Sequence, residues 1–212
     1  MLAILAIAGY LVGSIPVAWL VTKALTGKDL RHLGSGNVGV MNVALNVSRR
    51  AGLLVFLAEI AKGLLAVTLA RALDGGQIGV GLAVLATFVG TRWPIWLRGA
   101  GGRGNTVAMT GLLLVSWPAW LGVAAVWSLA RRLTHSSFTA TRLGLVSWPV
   151  VSGLVTQSPW CVLFGTLIAL LFLSTHRPET DDHRIVRARW PSLWAFLTAR
   201  REALACFTTN GL

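Results

Sequence analysis

Long apolar runs alternate with short polar ones along this chain, and several are too long for the core of a soluble domain. A membrane-spanning helix needs about 20 predominantly apolar residues. The runs from about Leu2 to Val21, Leu53 to Leu73 and Ile78 to Trp96 reach that length, the third bent near Pro94. Asp74-Gly75-Gly76 supplies a tight turn between the second and third. The stretch from Asn105 to Leu133 is broken at Ser116-Trp117-Pro118, because the residue before a proline leaves the α region. It is read as two short spans, Asn105 to Val115 and Ala119 to Arg131. Two more follow, Leu143 to Val155 and Trp160 to Ser174, around Gln157-Ser158-Pro159. The pattern predicts an all-α polytopic membrane protein with about seven transmembrane helices. Residues 1–175 form the transmembrane domain and residues 176–212 a tail. In the tail, Trp190, Trp194, Phe196 and Leu197 beside Arg200 and Arg201 predict an amphipathic helix lying on the inner leaflet.

Composition agrees. Of 212 residues, 55% are hydrophobic and 12% charged, with mean hydropathy +0.69, where a soluble domain carries about 25% charged residues. The formal charge is +12, from 19 Lys+Arg against 7 Asp+Glu. Seven spans with the N-terminus outside place these cations on the cytoplasmic side, except Lys62 within a span and Arg71 at an outer helix end. Six spans would export Arg131, Arg132 and the arginine-rich tail. Loop charge sets orientation, so the N-terminus lies outside and the C-terminus in the cytoplasm. Charge in short loops, with no stripe on a soluble fold, excludes nucleic acid as a partner and suits an anionic membrane lipid. The start Met1-Leu2-Ala3-Ile4 lacks a basic n-region, so the first helix is expected to be retained. Cys161 and Cys206 have neither metal nor redox spacing, and His32, His135 and His183 are scattered. No metal and no cofactor is expected.

The chemistry is concentrated in two loops. Gly34-Ser35-Gly36-Asn37-Val38-Gly39-Val40-Met41-Asn42 offers hydroxyl and amide groups among glycines. Gly101-Gly102-Arg103-Gly104 precedes a helix starting near Asn105. Glycine lets backbone approach a ligand and leaves successive N–H groups free to face an anion. A helix N-terminus adds roughly half a positive charge, and arginine clamps phosphate bidentately. In the seven-span topology both loops, Ser136-Ser137 and His176-Arg177 share the cytoplasmic face. Asp29 and Arg31 can pair locally. Glu59 and Lys62, three apart on one helix face, form an intramembrane pair that is either functional or structurally buried.

These residues resemble the bacterial acyl-phosphate-dependent glycerol-3-phosphate acyltransferases, seven-span inner-membrane enzymes, over nearly the whole chain. Gly13-Ser14-Ile15-Pro16 is similar to the opening motif, and Asp29-Leu30-Arg31 through Ser35-Gly36-Asn37, Gly39 and Asn42 to the first catalytic loop. Ala51-Gly52, Lys62-Gly63, Pro94, Gly101-Gly102-x-Gly104 and His176-Arg177 follow in family order. The resemblance implies transfer of a fatty acyl group from acyl phosphate to the sn-1 hydroxyl of glycerol 3-phosphate, giving lysophosphatidate without metal. It implies His176, Ser35 and Arg103 as catalytic residues. It implies Gly36, Asn37, Gly39, Asn42, Gly101, Gly102, Gly104, Ser137, Arg177 and Glu179 as substrate-binding residues. The acyl chain is expected between spans. The acceptor's proton goes to the donor's phosphate, or to His176 acting as a base with a pKa near working pH. The chain departs from the family at Val40-Met41 (usually Ala-Thr), Leu45 (Arg), Thr91 (His), Arg103 (Lys) and Glu179 (Asn). Arg49 or Arg50 is placed to compensate for Leu45. Two alternatives stay open: a non-catalytic paralogue binding a phosphorylated ligand, and an acyltransferase with another acceptor.

Overall fold

The structure, a computed structural model, describes residues 1–176, 190 and 193–199. Helix α1 (Leu2–Ser14) stops where Pro16 follows: a proline offers no N–H and pushes Ile15 into an extended conformation, φ −63° and ψ 110°. The chain restarts as α2 (Val17–Thr26) and ends at Gly27 in the left-handed region, φ 70°. The expected first span from Leu2 to Val21 is therefore two helices, divided at Pro16. A 3-10 turn at Leu30–His32 and the short α3 (Val40–Asn46) carry the first glycine loop between them. The Ser48 hydroxyl caps α4 (Arg49–Ala72) by accepting from the Ala51 N–H at 3.1 Å. Then come α5 (Gly76–Arg92), a 3-10 turn at Ile95–Leu97 behind Pro94, and α6 (Asn105–Val115). Ser116, Ser136 and Ser158 are the side-chain caps of α7 (Trp117–Thr134), α8 (Ser137–Thr156) and α9 (Pro159–Thr175). The break at Ser116-Trp117-Pro118 lies one residue earlier than Pro118 alone dictates. Ser116 takes the extended conformation, and Pro118 sits in the first turn of α7, where its missing N–H is harmless. A last helix, α10, runs Leu193–Thr198.

Four helical stretches among the described residues are long and apolar enough to cross a membrane: Leu2–Thr26, Arg49–Ala72, Gly76–Leu97 and Ser137–Thr156. Asn105–Val115 and Pro159–Thr175 are shorter apolar helices. Large apolar side chains face outward from them, among them Ile4, Ile7, Leu57, Leu65, Val150 and Leu154. That is the surface an integral membrane protein presents to lipid.

Small residues hold the bundle together. Gly9 and Gly13, four apart on α1, lie against Ala83 and Thr87 of α5 so closely that a Cβ on Gly13 would fall inside the Thr87 carbonyl. Gly90 of α5 in turn lies against the Tyr10 carbonyl. With lipid outside there is no hydrophobic drive between helices, so backbone-to-backbone approach supplies the packing. One buried cluster, including Leu5, Val67, Phe88, Leu112, Ile168 and Phe172, fills the bundle. A second, with Leu30, Val38, Val43, Val55 and Leu97, lies under the first glycine loop and fixes it to α4.

The Glu59–Lys62 pair is structural. Lys62 Nζ donates to Glu59 Oε1 at 2.7 Å, to the Ile15 carbonyl at 2.6 Å and to the Gly13 carbonyl at 3.3 Å. Thr91 Oγ1 also donates to the Gly13 carbonyl, at 3.3 Å. At the break between α1 and α2, Lys62 thus supplies donors to the Gly13 and Ile15 carbonyls, the latter also accepting from the Val17 N–H at 2.9 Å, while the Thr91 hydroxyl lies nearer the Thr87 carbonyl, at 3.0 Å.

Candidate active site

The first loop is built around Asn42. This side chain is fully buried. Its Nδ2 donates to the Leu33 and Asn37 carbonyls, each at 2.9 Å, and its Oδ1 accepts from Asn46 Nδ2 at 2.7 Å. Gly34 and Gly36 turn the backbone through the left-handed region, φ 54° and 70°. Ser35 Oγ accepts from the Asn37 N–H at 3.3 Å, and Ser35 and Asn37 stay half-buried at the loop surface. Asn42, expected to bind substrate, holds the loop in shape from beneath through these bonds. Asp29 and Arg31 pair as anticipated, at 2.7 Å, and the Arg31 guanidinium holds the Asp29 carboxyl well below the usual carboxylate range.

The second loop docks on the first. A Cβ on Gly102 would fall on the Val38 carbonyl, and one on Gly101 on the Thr91 carbonyl. The Gly102 N–H donates to the Thr91 carbonyl at 3.1 Å. The expectation that Gly102 offers its N–H to an anion is therefore corrected: that N–H is used inside the protein, and the absent side chain lets the two loops touch. Gly104 takes φ 74°, with the Phe88 ring 2.7 Å from where a Cβ would stand. It opens α6 without a side-chain cap. Gly39 keeps φ at −150°, which any residue adopts, and lies beside the Asn37 amide.

His176 sits at the same end of the bundle, just past α9. It is buried between Phe138 and Phe172, with ring centroids 4.3 and 4.5 Å away. Its Nδ1 is buried with no hydrogen-bond partner among the described residues. Desolvation first, then the Arg103 and Arg142 guanidinium groups, push its pKa down to about 4. Burial and these two cations therefore favour the neutral imidazole, where a base poised near working pH was expected. Ser137 is buried in the first turn of α8, next to Phe138. Arg177 and Glu179 lie outside the described residues.

Four contributors escaped the sequence reading. Arg142, one turn along α8, lies over the Phe138 ring at 5.3 Å and acts on His176 together with Arg103. Phe138 and Phe172 set the polarity around the imidazole. Asn105, the first residue of α6, lines an apolar groove of about 390 Å³ between α6, α7 and α8, with Met109, Trp120, Trp127 and Leu145. Trp127 Nε1 donates to Thr141 Oγ1 at 3.2 Å across this groove. Serine capping and helical spacing from Ser136 place Arg142 beside Phe138; nothing in the sequence signals that His176 stacks there.

Arg49, expected with Arg50 as a candidate to compensate for Leu45, reaches the tail segment. Its guanidinium donates to the carbonyls of Phe196, at 3.1 Å, and Ala199, pinning the tail segment to the start of α4. Phe196 is 1% exposed and meets Trp190 edge-on at 5.9 Å. That side chain faces protein, where an interfacial helix was expected to turn it to lipid. No group of three or more metal-ligating side chains occurs among the described residues.

The comparisons with known proteins agree with this geometry. Residues 3–185 match the glycerol-3-phosphate acyltransferase family. The chain is 36% identical over 193 residues to the glycerol-3-phosphate acyltransferase of Gloeobacter violaceus, covering 88% of this chain and 92% of the relative. It is 39% identical over 180 residues to the corresponding protein of a Synechococcus species, covering 82% and 86%. The fold matches the crystal structure of PlsY (YgiH), an integral membrane glycerol 3-phosphate acyltransferase in its glycerol 3-phosphate form, with a TM-score of 0.76, 26% identity, and 89% and 94% coverage. This chain belongs to the glycerol-3-phosphate acyltransferase family of integral membrane acyltransferases.

Proposed function

We propose that the chain transfers a fatty acyl group from acyl phosphate to the sn-1 hydroxyl of glycerol 3-phosphate. The products are lysophosphatidate and inorganic phosphate. The carrying observation is the docking of Gly102 on Val38, which joins the two glycine loops into one surface beside Arg103. Around it, Arg103 and Arg142 converge on His176, and an apolar groove begins at Asn105. Two cations and helix N-termini suit two phosphorylated substrates. The apolar groove between α6, α7 and α8 suits the donor's acyl chain.

The acceptor's hydroxyl oxygen attacks the acyl carbonyl carbon. The carbon–oxygen bond to the donor's phosphate then breaks, and phosphate departs with the electron pair. A neutral imidazole with a pKa of about 4 is a weak proton acceptor. We therefore assign the hydroxyl proton to an oxygen of the leaving phosphate, and give His176 the role of a neutral hydrogen-bonding group that orients substrate. The Ser35 hydroxyl and the Asn37 side-chain amide face the developing oxyanion. Asn42, Gly36, Gly39, Gly101, Gly102 and Gly104 hold these groups in place, and Ser137 adds a hydroxyl from the α8 side; Arg177 and Glu179 are assigned to substrate binding from the sequence alone. In this reading the α1–α2 stretch and α4 to α9 make seven spans. The N-terminus lies outside, and the site opens to the cytoplasm of a bacterial inner membrane beside anionic lipid.

Purified protein supplied with palmitoyl phosphate and glycerol 3-phosphate forms lysophosphatidate, and acyl-CoA does not replace the donor. The observation favouring a non-catalytic binding protein is that Arg49 and Thr91 make hydrogen bonds to backbone carbonyls within the protein. If neither the natural chain nor Leu45→Arg with Glu179→Asn makes product, while a motif-intact relative does in the same assay, the binding reading replaces the enzyme.

A further inference from the structure

A cavity lies at the end of the bundle opposite to the glycine loops. It holds about 560 Å³, within the range of ligand pockets. The last turns of α4, α6 and α8 and the first turns of α5 and α9 enclose it. Its origin is the early end of α6. Eleven residues at 1.5 Å each make a helix of about 16 Å, roughly half the hydrocarbon thickness of a bilayer. Ser116 stops α6 by capping α7, so the bundle lacks a layer of side chains beyond Val115.

The lining is graded. Val84, Leu112, Trp148, Phe164 and Ile168 make apolar walls, while Arg71, Asp74, Gln77 and Thr156 add polar groups. Arg71 Nη2 donates to the Leu114 carbonyl at 2.6 Å, which fixes the guanidinium over the end of α6. That bond uses one of its five N–H donors. The ion pairs of the described residues are Asp29–Arg31 and Glu59–Lys62, so Arg71 and Asp74 share this cavity without neutralising each other. A cation and an anion held apart over an apolar chamber complement a zwitterionic headgroup above an acyl chain. An unfilled space of this size forgoes dispersion contacts, and apolar walls hold water poorly. The surrounding solvent is lipid.

We propose that this cavity is a phospholipid site: one acyl chain of a phosphatidylethanolamine-type lipid enters between α6 and α8, with its phosphate on Arg71 and its ammonium on Asp74. The site uses none of the acyl-transfer residues and stands whether or not the acyl-transfer reading does.

Cys161 lines the cavity and reports its occupancy. In Cys206→Ser, Cys161 is the sole cysteine of the full chain. Its alkylation by N-ethylmaleimide is timed in detergent with added phosphatidylethanolamine, or with hexadecanol, which has a chain and no phosphate. At lipid ten times its half-protecting level, alkylation is expected to slow roughly tenfold. Hexadecanol is expected to protect weakly. Arg71→Ala should need about tenfold more phosphatidylethanolamine, the loss of one charged contact, and Arg71→Lys should retain most of the protection. An alkylation rate indifferent to phosphatidylethanolamine overturns the site. Equal protection by hexadecanol overturns the headgroup assignment. Both comparisons are made without changing Arg71, so they decide the matter even if Arg71→Ala does not fold.

Discussion

Helix α1 meets α5 through Gly9, Gly13 and Gly90, with backbone against backbone, whereas α6 faces α8 across two cavities. The closed half holds a narrow cleft beneath the loops, where Gly13, Pro16, Val38, Lys62 and Gly102 come together. The open half offers apolar chambers of about 390 and 560 Å³. The difference separates two tasks. The closed half fixes where the loops are, since α1, α4 and α5 all anchor the carbonyls and glycines beneath them. The open half accommodates chains, since α6 is short and α8 stands off. A family of membrane acyltransferases needs both: a rigid cradle for small charged substrates and yielding space for long apolar ones.

The largest effect that sharpens this contrast is at the closed half's buried charge. Lys62 and Glu59 are 6% and 9% exposed, and Lys62 also holds the Ile15 and Gly13 carbonyls. Lys62→Met leaves a buried carboxylate unpaired, and removing one partner of a buried pair costs about 3–5 kcal/mol. The expected outcome is a marked fall in thermal unfolding temperature in detergent and loss of acyl transfer. Lys62→Met with Glu59→Leu should recover part of the loss in unfolding temperature. Equal stability of Lys62→Met and the natural protein breaks the claim that the closed half rests on this network.

A smaller effect compares the two halves by one methyl group each. Gly13→Ala drives a Cβ into the Thr87 carbonyl, which is backbone and cannot step aside. Overpacking of this kind costs about 1–3 kcal/mol. Gly144→Ala, on α8 beside the open groove, finds its nearest atom, Trp127 Cβ, at 3.4 Å, and gains helix propensity of up to about 1 kcal/mol. Chemical denaturation of the two variants should therefore move in opposite directions, and a shift of equal size and sign in both removes the distinction.

Each half was legible in the sequence in part. The α6 boundaries follow from the Gly104 opening and Ser116 cap, and the Glu59–Lys62 pair from its spacing alone. The division of the first span did not follow from hydropathy, because Gly13-Ser14-Ile15-Pro16 interrupts an apolar run without a polar residue beyond Ser14. The Gly101 and Gly102 positions read as anion contacts because glycine signals close approach without saying to what. The structure shows the partner is backbone. The stacking of Phe138 on His176 joins residues 38 positions apart, and no local pattern records it. Arg142 belonged to a basic loop that orientation alone seemed to explain.

The smallest of these effects concerns charge at the junction of the two halves, where the second glycine loop and α8 lend Arg103 and Arg142 to His176. An unfolded imidazole titrates near 6.5, and in the fold burial and the two guanidinium groups lower it to about 4. The neutral form is thus favoured by folding. The stability it contributes is complete above pH 6.5 and is lost as the pH falls through 4. The titration can be followed by NMR of the imidazole in protein whose His32, His135 and His183 are replaced by glutamine. The expected midpoint is about 4. Arg103→Ala should raise it more than Arg142→Ala, because Arg103 acts more strongly, and neither should restore 6.5, because desolvation is the larger cause. Adding glycerol 3-phosphate should raise the midpoint as well, since a bound dianion offsets both arginines. Arg103→Ala should also weaken use of phosphorylated substrates roughly tenfold or more, the loss of about 1.5–3 kcal/mol for a hydrogen bond to a charged group. A midpoint of 6.5 in the unmodified site, or one indifferent to both arginines and to glycerol 3-phosphate, would show that the open half does not deliver its cations to the cradle.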